Sequence, residues 1–219
     1  MIINKKLVSA AIIALSFNLV NAQGLELDEV RLVGGKNFSN FMFKDSENQK
    51  DQQLSYNMLN SFGVNFNLKS DKHILRPELL FRQAGATSDF NGTPLSWKMN
   101  YLDINVAYLY EALSFNIFTV SPGIAIGGGY MMNGEQYIGE NRISIIEEES
   151  MKRFDLGFQG IASIKANVSE QLYLSLEYRG GLGILEIETD DTQTTRNVYH
   201  SAILGIGFIL GQKSSTRFQ

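Results

Sequence analysis

Ten charged residues recur at alternate positions of otherwise apolar, strand-like stretches: Arg31, Arg76, Glu78, Arg82, Asp103, Arg153, Asp155, Lys165, Glu177 and Arg179. Successive strand residues point to opposite faces, so residues two apart share one face. These side chains therefore lie opposite a wall of Leu, Ile, Phe and Val. Six are basic and four are acidic. Such a set suits two uses. One is a gated path for ions or protons. The other is a plug of salt bridges that fills a narrow interior and fixes its register. The plug is the expectation, because unpaired charge in a poorly hydrated interior is costly. Glu78 lies between Arg76 and Arg82 on one face, and Asp103 on the next strand is placed to pair with that group. Glu177 and Arg179 lie on the strand beside Asp155 and Lys165. The basic excess would bias any leak toward anions.

The remaining residues suited to chemistry form no constellation. Glu147-Glu148-Glu149 and Asp190-Asp191 fall in polar connections, where oxygen ligands suit divalent cations. Their spacing matches no calcium loop, so solvated loop charge is the expectation. His73 borders a tight turn, and His200 projects to the apolar face near a strand end; neither has a visible partner. No G-x-S-x-G or H-E-x-x-H stretch occurs. Gly127-Gly128-Gly129 is followed by neither a helix nor a Lys, and more simply relieves crowding in a strand. With no cysteine in 219 residues, disulfides, thiolate metal sites, cysteine nucleophiles and lipid attachment at a lipobox are excluded. No catalytic, cofactor or metal site is expected, and a net charge of −4 makes nucleic acid a poor partner.

The elements that must position the charged set are strands. Period-two alternation runs through eight segments, roughly 28–39, 54–69, 73–87, 95–110, 114–131, 151–167, 171–187 and 195–210. Ser70-Asp71-Lys72, Glu111-Ala112-Leu113 and Val168-Ser169-Glu170 are tight connections. Those near 40–53, 88–94, 132–150 and 188–194 are longer and more polar. Short connections at one end and long ones at the other describe an all-β, eight-stranded antiparallel up-and-down transmembrane β-barrel of the outer-membrane type. Alternation alone does not say which face is outside. Bulky apolar residues from eight strands would overfill the narrow interior of such a barrel, whereas small residues and paired charges fit. The segments are also long enough to cross a membrane at a tilt, which takes about 9–11 residues. Aromatics gather near segment ends, where rings suit the headgroup level: Phe38, Phe41, Trp97, Tyr101, Tyr108, Tyr110, Phe115, Tyr130, Phe154 and Tyr199.

The N-terminus reads as a cleaved secretory signal over 1–22, with Lys5 and Lys6 before the apolar run Leu7 to Leu19, and small residues ahead of a cut before Gln23. The barrel follows over 23–210, and 211–219 is a polar tail. No later stretch reads as a membrane-crossing helix; the most apolar one, Phe115 to Met132, contains Asn116, Pro122 and several glycines.

Three stretches carry a family resemblance: Gly34-Gly35-Lys36-Asn37-Phe38-Ser39-Asn40; Leu75-Arg76-Pro77-Glu78-Leu79-Leu80-Phe81 followed by Gln83 and Gly85; and Asn100-Tyr101-Leu102-Asp103-Ile104. Their order and spacing resemble the PorT-like outer-membrane β-barrel family common in the Bacteroidota, over most of the chain after the signal. The resemblance implies a β-barrel fold and an outer-membrane address. One member of that family is implicated in protein secretion, and no local motif here carries that role over. The C-terminus departs from the common pattern of a terminal aromatic strand residue: Phe208 lies near the end of the last segment and Phe218 is penultimate.

The function expected is that of a small structural or interaction barrel with a side-chain-filled lumen. Its partners would be outer-membrane lipid and, through the outer loops, an envelope protein. A narrow porin-like channel for ions or small solutes is the alternative. A membrane-embedded enzyme or a secretion-system component is a lesser one.

Overall fold

In the computed structural model, residues 25–44, 54–90, 92–189 and 194–210 are described. The expected signal, the Asp190-Asp191 pair and the C-terminal tail with Phe218 lie outside them. The described chain is all-β, with eleven antiparallel strands and no helix. Eight of these form the wall or its main run: β1 (Glu26–Lys44), β2 (Ser55–Ser70), β3 (His73–Ala84), β5 (Thr93–Tyr110), β7 (Phe118–Ile138), β9 (Phe154–Asn167), β10 (Leu172–Gly183) and β11 (Thr194–Ile209). Each pairs with its chain neighbours, and β1 also pairs with β11 from Glu29↔Ile209 to Lys44↔Thr194. The ladder therefore closes into a ring and leaves none of these strands with a free edge.

The other three strands correct the expected boundaries. The third segment breaks at Gly85 into β3 and β4 (Ala86–Phe90); the site takes glycine because a Cβ there would run into the backbone carbonyl of Trp97. β4 then pairs with β5, so the expected loop at 88–94 is mostly hairpin. The fifth segment starts at Phe118, not 114; β6 (Leu113–Phe115) folds back on it through Asn116, which adopts a left-handed φ of 51° as Asn tolerates. At the far end β7 runs on to Ile138 and pairs with β8 (Asn141–Ser144) inside the expected loop at 132–150. The strands thus project as hairpins beyond the long-connection end. The opposite end keeps tight links at 71–72 and 168–171.

The faces are inverted relative to a water-soluble barrel. On β5, Ile104 is 67% exposed while its neighbour Asp103 is 3% exposed. On β11, Leu204, Ile206 and Phe208 point out, while Asn197, Ser201 and Ile203 point in. Burying a Leu or Phe side chain stabilises by about 1.5–3 kcal/mol relative to leaving it in water. A belt of such residues facing water would cancel much of what the fold gains, whereas hydrocarbon solvates it without cost. Of the aromatics expected at the headgroup level, Phe38, Tyr108, Tyr110, Phe115, Tyr130 and Phe154 do face outward. Phe41, Tyr101 and Tyr199 instead point inward and are buried, and Trp97 packs against Phe41. Strand parity overrides residue type at these positions.

Small apolar layers separate the polar interior. Ile74, Ala107, Leu109, Ala125 and Ile161 lie toward the tight-turn end, and Val33, Leu80 and Ile203 form a second cluster. At the hairpin end, Phe41, Met99, Tyr101 and Met131 pack with Ile145 and Ile187. The last two come from connecting segments and are wholly buried. Backbone bonds Ile145 N–H to the Gly134 carbonyl (3.0 Å) and Ile187 N–H to the Thr195 carbonyl (2.9 Å) hold them in place. The connections thus fold inward as a cap over the ring.

Candidate functional site

The alternation of β1, β3 and β10 aims Arg31, Arg76, Glu78, Glu177 and Arg179 at one level of the interior. Glu177 is the hub. It accepts from Arg31 at 3.0 Å, from Arg76 at 2.8 Å and from Arg179 at 2.6 Å. Arg179 also reaches across the ring to Glu78 in a two-pronged contact of 2.7 and 2.8 Å, and Arg76 lies 3.2 Å from Glu78. All five are almost completely buried. Paired, planar contacts of this kind are the strongest that guanidinium and carboxylate make.

A second cluster lies toward the cap. Arg82 donates to Asp103 at 2.6 Å and to Asp155 at 3.3 Å, and the Asn197 amide donates to Asp155 at 2.9 Å. The rings of Tyr101 and Tyr199 lie 4.7 and 5.0 Å from the Arg82 guanidinium. Strand parity turns the two tyrosines inward, and the guanidinium gives their rings a partner there. Toward the tight-turn end, Lys165 donates to Glu29 at 2.6 Å, its ammonium 5.1 Å from the Tyr173 ring. Asn67 donates to the other oxygen of Glu29 at 2.7 Å.

Eight of the ten expected interior charges are buried inside the ring, and Lys165 is partly buried there. Arg153 is not inside. It precedes β9, whose regular pairing starts at Phe154, and a bend turns the side chain outward to the Tyr130 hydroxyl at 3.2 Å. Glu29 was not among the ten, although it shares strand parity with Arg31. With Arg153 out and Glu29 in, this interior set holds five cations and five carboxylates, so the expected basic excess disappears. Glu177 and Arg179 pair with each other and across the ring rather than with Asp155 and Lys165. Both histidines have partners: His73 Nδ1 meets the Tyr108 hydroxyl, and His200 Nδ1 the Tyr178 hydroxyl, each at 2.7 Å on the outer face. Glu147, Glu148 and Glu149 are exposed on a turn beyond β8. On the neighbouring hairpin, the Tyr137 hydroxyl and Arg142 hold the Glu135 carboxyl below the usual carboxylate range.

Little space remains between these groups. One cavity of about 20 Å³ is lined by Arg31, Arg76, Lys165 and Tyr173, and another of about 10 Å³ by Arg82, Asp103, Asp155 and Tyr199. A single water needs about 10–15 Å³, so neither cavity passes a hydrated ion. Arg153→Ala should change stability by less than about 0.5 kcal/mol, as an exposed residue without an ion pair among the described residues. Urea unfolding in lipid vesicles measures this; a loss of several kcal/mol would return Arg153 to the interior network.

No family model matches the sequence, and no curated protein matches it. Solved structures do. Neisserial surface protein A superposes with a TM-score of 0.51 at 11% identity, over 84% of this chain and 98% of that one. OprG from Pseudomonas aeruginosa gives 0.44 at 11% identity over 87% and 99%, and the protease OmpT from Escherichia coli 0.45 at 8% over 84% and 98%. The first of these likenesses, together with the closed ladder and the inverted faces, gives the conclusion that this chain has the fold of a small outer-membrane β-barrel.

Proposed function

We propose that the chain is an exported eight-stranded transmembrane barrel of a bacterial outer membrane, with a plugged lumen, that works through its outer end as a structural or interaction protein. The observation that carries this reading is the combination of an apolar exterior with an interior closed by balanced ion pairs. A solute pathway needs continuous space, and the two interior cavities suit single waters. The Ile145 and Ile187 cap adds a second closure. The candidate partner is an envelope protein bound at the projecting β4–β5 and β7–β8 hairpins, where Glu147, Glu148 and Glu149 are exposed. The chain is proposed not to be an enzyme, since its buried acids are each engaged by an Arg or Lys. Export by residues 1–22 and membership of the PorT-like barrels of the Bacteroidota belong to the same proposal, supported by the signal-like N-terminus and by the three resembling stretches.

The test is planar-bilayer conductance of the refolded protein. Folding is checked first by a gel mobility that shifts on heating, as a stable barrel's does. The expected result is a folded but silent barrel. Discrete openings that change with Arg82→Ala or Glu177→Gln would overturn the plugged reading in favour of the narrow channel.

A further inference from the structure

On the outer face, β1, β10 and β11 leave an open groove of about 550 Å³, lined chiefly by Leu32, Gly34, Leu174, Leu204, Ile206 and Phe208. The register stacks these residues along the strands: Gly34↔Leu204, Leu32↔Ile206 and Val30↔Phe208. Gly34 forms part of its floor. Most paired glycines of the wall have no room for a Cβ, because a neighbour occupies the space; a Cβ at Gly34 would meet nothing within 4 Å. Packing within the protein therefore does not require the glycine, and the space above it is unclaimed.

Two residues further toward the hairpin end stands Lys36, exposed on the same face. Its ammonium donates to the Asn60 amide oxygen at 2.8 Å and makes no ion pair among the described residues. Asn60 meets Gln83, Gln83 meets Asn100 at 2.9 Å, and Asn100 meets Asn133. This outward polar row crosses five strands, through paired positions on β1–β2, β3–β5 and β5–β7 and through the Asn60–Gln83 hydrogen bond between β2 and β3. Below it on β2 and β5 the outer wall is Phe62, Val64, Leu102 and Ile104; above it on β5 come Lys98 and Ser96. The row stands near the upper margin of the apolar wall, with outward Phe38 and Met58 just beyond it on β1 and β2. Beside Lys36, the small Ala202 leaves the face open, and the linked pair of Tyr178 and His200 stands next to it. A cation with no carboxylate among the described residues thus stands over the end of an apolar groove, with the Tyr178–His200 pair on the far side of Ala202. A lysine at that level is attracted to anionic lipid headgroups.

We propose that this face seats one anionic, phosphate-bearing lipid of the outer leaflet, its acyl chain over Gly34 and its phosphate on Lys36 beside Tyr178 and His200. The proposal rests on the membrane reading above. One site binds one lipid, because the groove has a single open floor and a single cation at its head.

The experiment is native mass spectrometry of the refolded full-length barrel, titrated with dimyristoyl phosphatidylglycerol and, separately, with dimyristoyl phosphatidylcholine. The expected result is one retained lipid, with the anionic one preferred about fivefold, the size expected of one lysine at an anionic surface. Lys36→Gln should abolish the preference. Gly34→Leu, which the fold has room for, should displace both lipids. Equal retention of the two lipids by the wild-type barrel overturns the site, as does a Gly34→Leu barrel that retains lipid like the wild type. A chain that fails to insert and shows no heat-shifted mobility overturns the membrane reading itself.

Discussion

Glu177→Gln should destabilise the folded barrel by about 3–5 kcal/mol, the range for breaking a buried ion pair by removing one partner. The substitution keeps the shape and removes one charge. Arg31, Arg76 and Arg179 all lie within 3.0 Å of this carboxylate. Without it, three guanidinium groups face Glu78 alone, in an interior with almost no water. The urea midpoint in lipid vesicles, followed by the heat-shifted band, should fall steeply. Arg31→Met added to Glu177→Gln should recover part of the loss, because it withdraws one of the stranded cations. A midpoint within about 0.5 kcal/mol of wild type would sink the hub assignment, since that is the range of ordinary surface changes.

The same network shows which parts of the site could be read from sequence. Parity alone aims Arg31, Arg76, Glu78, Arg82, Asp103, Asp155, Glu177 and Arg179 inward, and the β3–β5 register makes Arg82 and Asp103 near neighbours. Parity says nothing about contacts across the ring. Glu78 and Arg179 are 101 residues apart and on strands that share no ladder. Only the closed diameter brings them together. Arg153 departs from its parity because parity holds only where pairing is regular, and the chain bends just before Phe154. Residue type suggests the membrane boundary for Tyr101 and Tyr199, whereas their parity with Asp103 and Ser201 points inward. Ile145 and Ile187 lie in short stretches of mixed apolar and charged residues, which carry no periodic signal of a cap. The strand extensions past the wall are hidden for a related reason: their polar composition resembles loops, while their pairing is local hairpin pairing.

Balance also has a structural consequence. A barrel of this size could fill its interior with apolar side chains, as the small Val33, Leu80 and Ile203 layer does. An apolar plug tolerates sliding by two residues, since one Leu replaces another. A plug of matched ions does not, because a slip of two residues would move Glu177 away from three guanidinium groups at once. We propose that the charges specify register as well as fill space, a role attested for buried polar groups in other folds.

Gly207→Ala should cost about 3 kcal/mol, the upper range for overpacking by a methyl group. Gly207 is paired directly with Tyr173 and with Arg31. The Tyr173 ring lies over the glycine, so an added Cβ would fall within the ring itself. That ring also faces the Lys165 ammonium, so displacing it disturbs the Lys165–Glu29 pair. Gly181 and Tyr199 repeat the arrangement beside Arg82. In both places a glycine makes room for an aromatic ring, and the ring positions a cation. Tyr173→Ala alone should cost about 3–5 kcal/mol, as loss of a large buried aromatic does. The double variant should cost no more than Tyr173→Ala by itself, because the methyl group then occupies space the ring has left. The resulting coupling of about 3 kcal/mol is measurable in a double-mutant cycle. Gly34→Ala, with open space above it, is the control and should stay within about 0.5 kcal/mol of wild type. Additive losses in the cycle would mean that Gly207 serves the backbone rather than the ring.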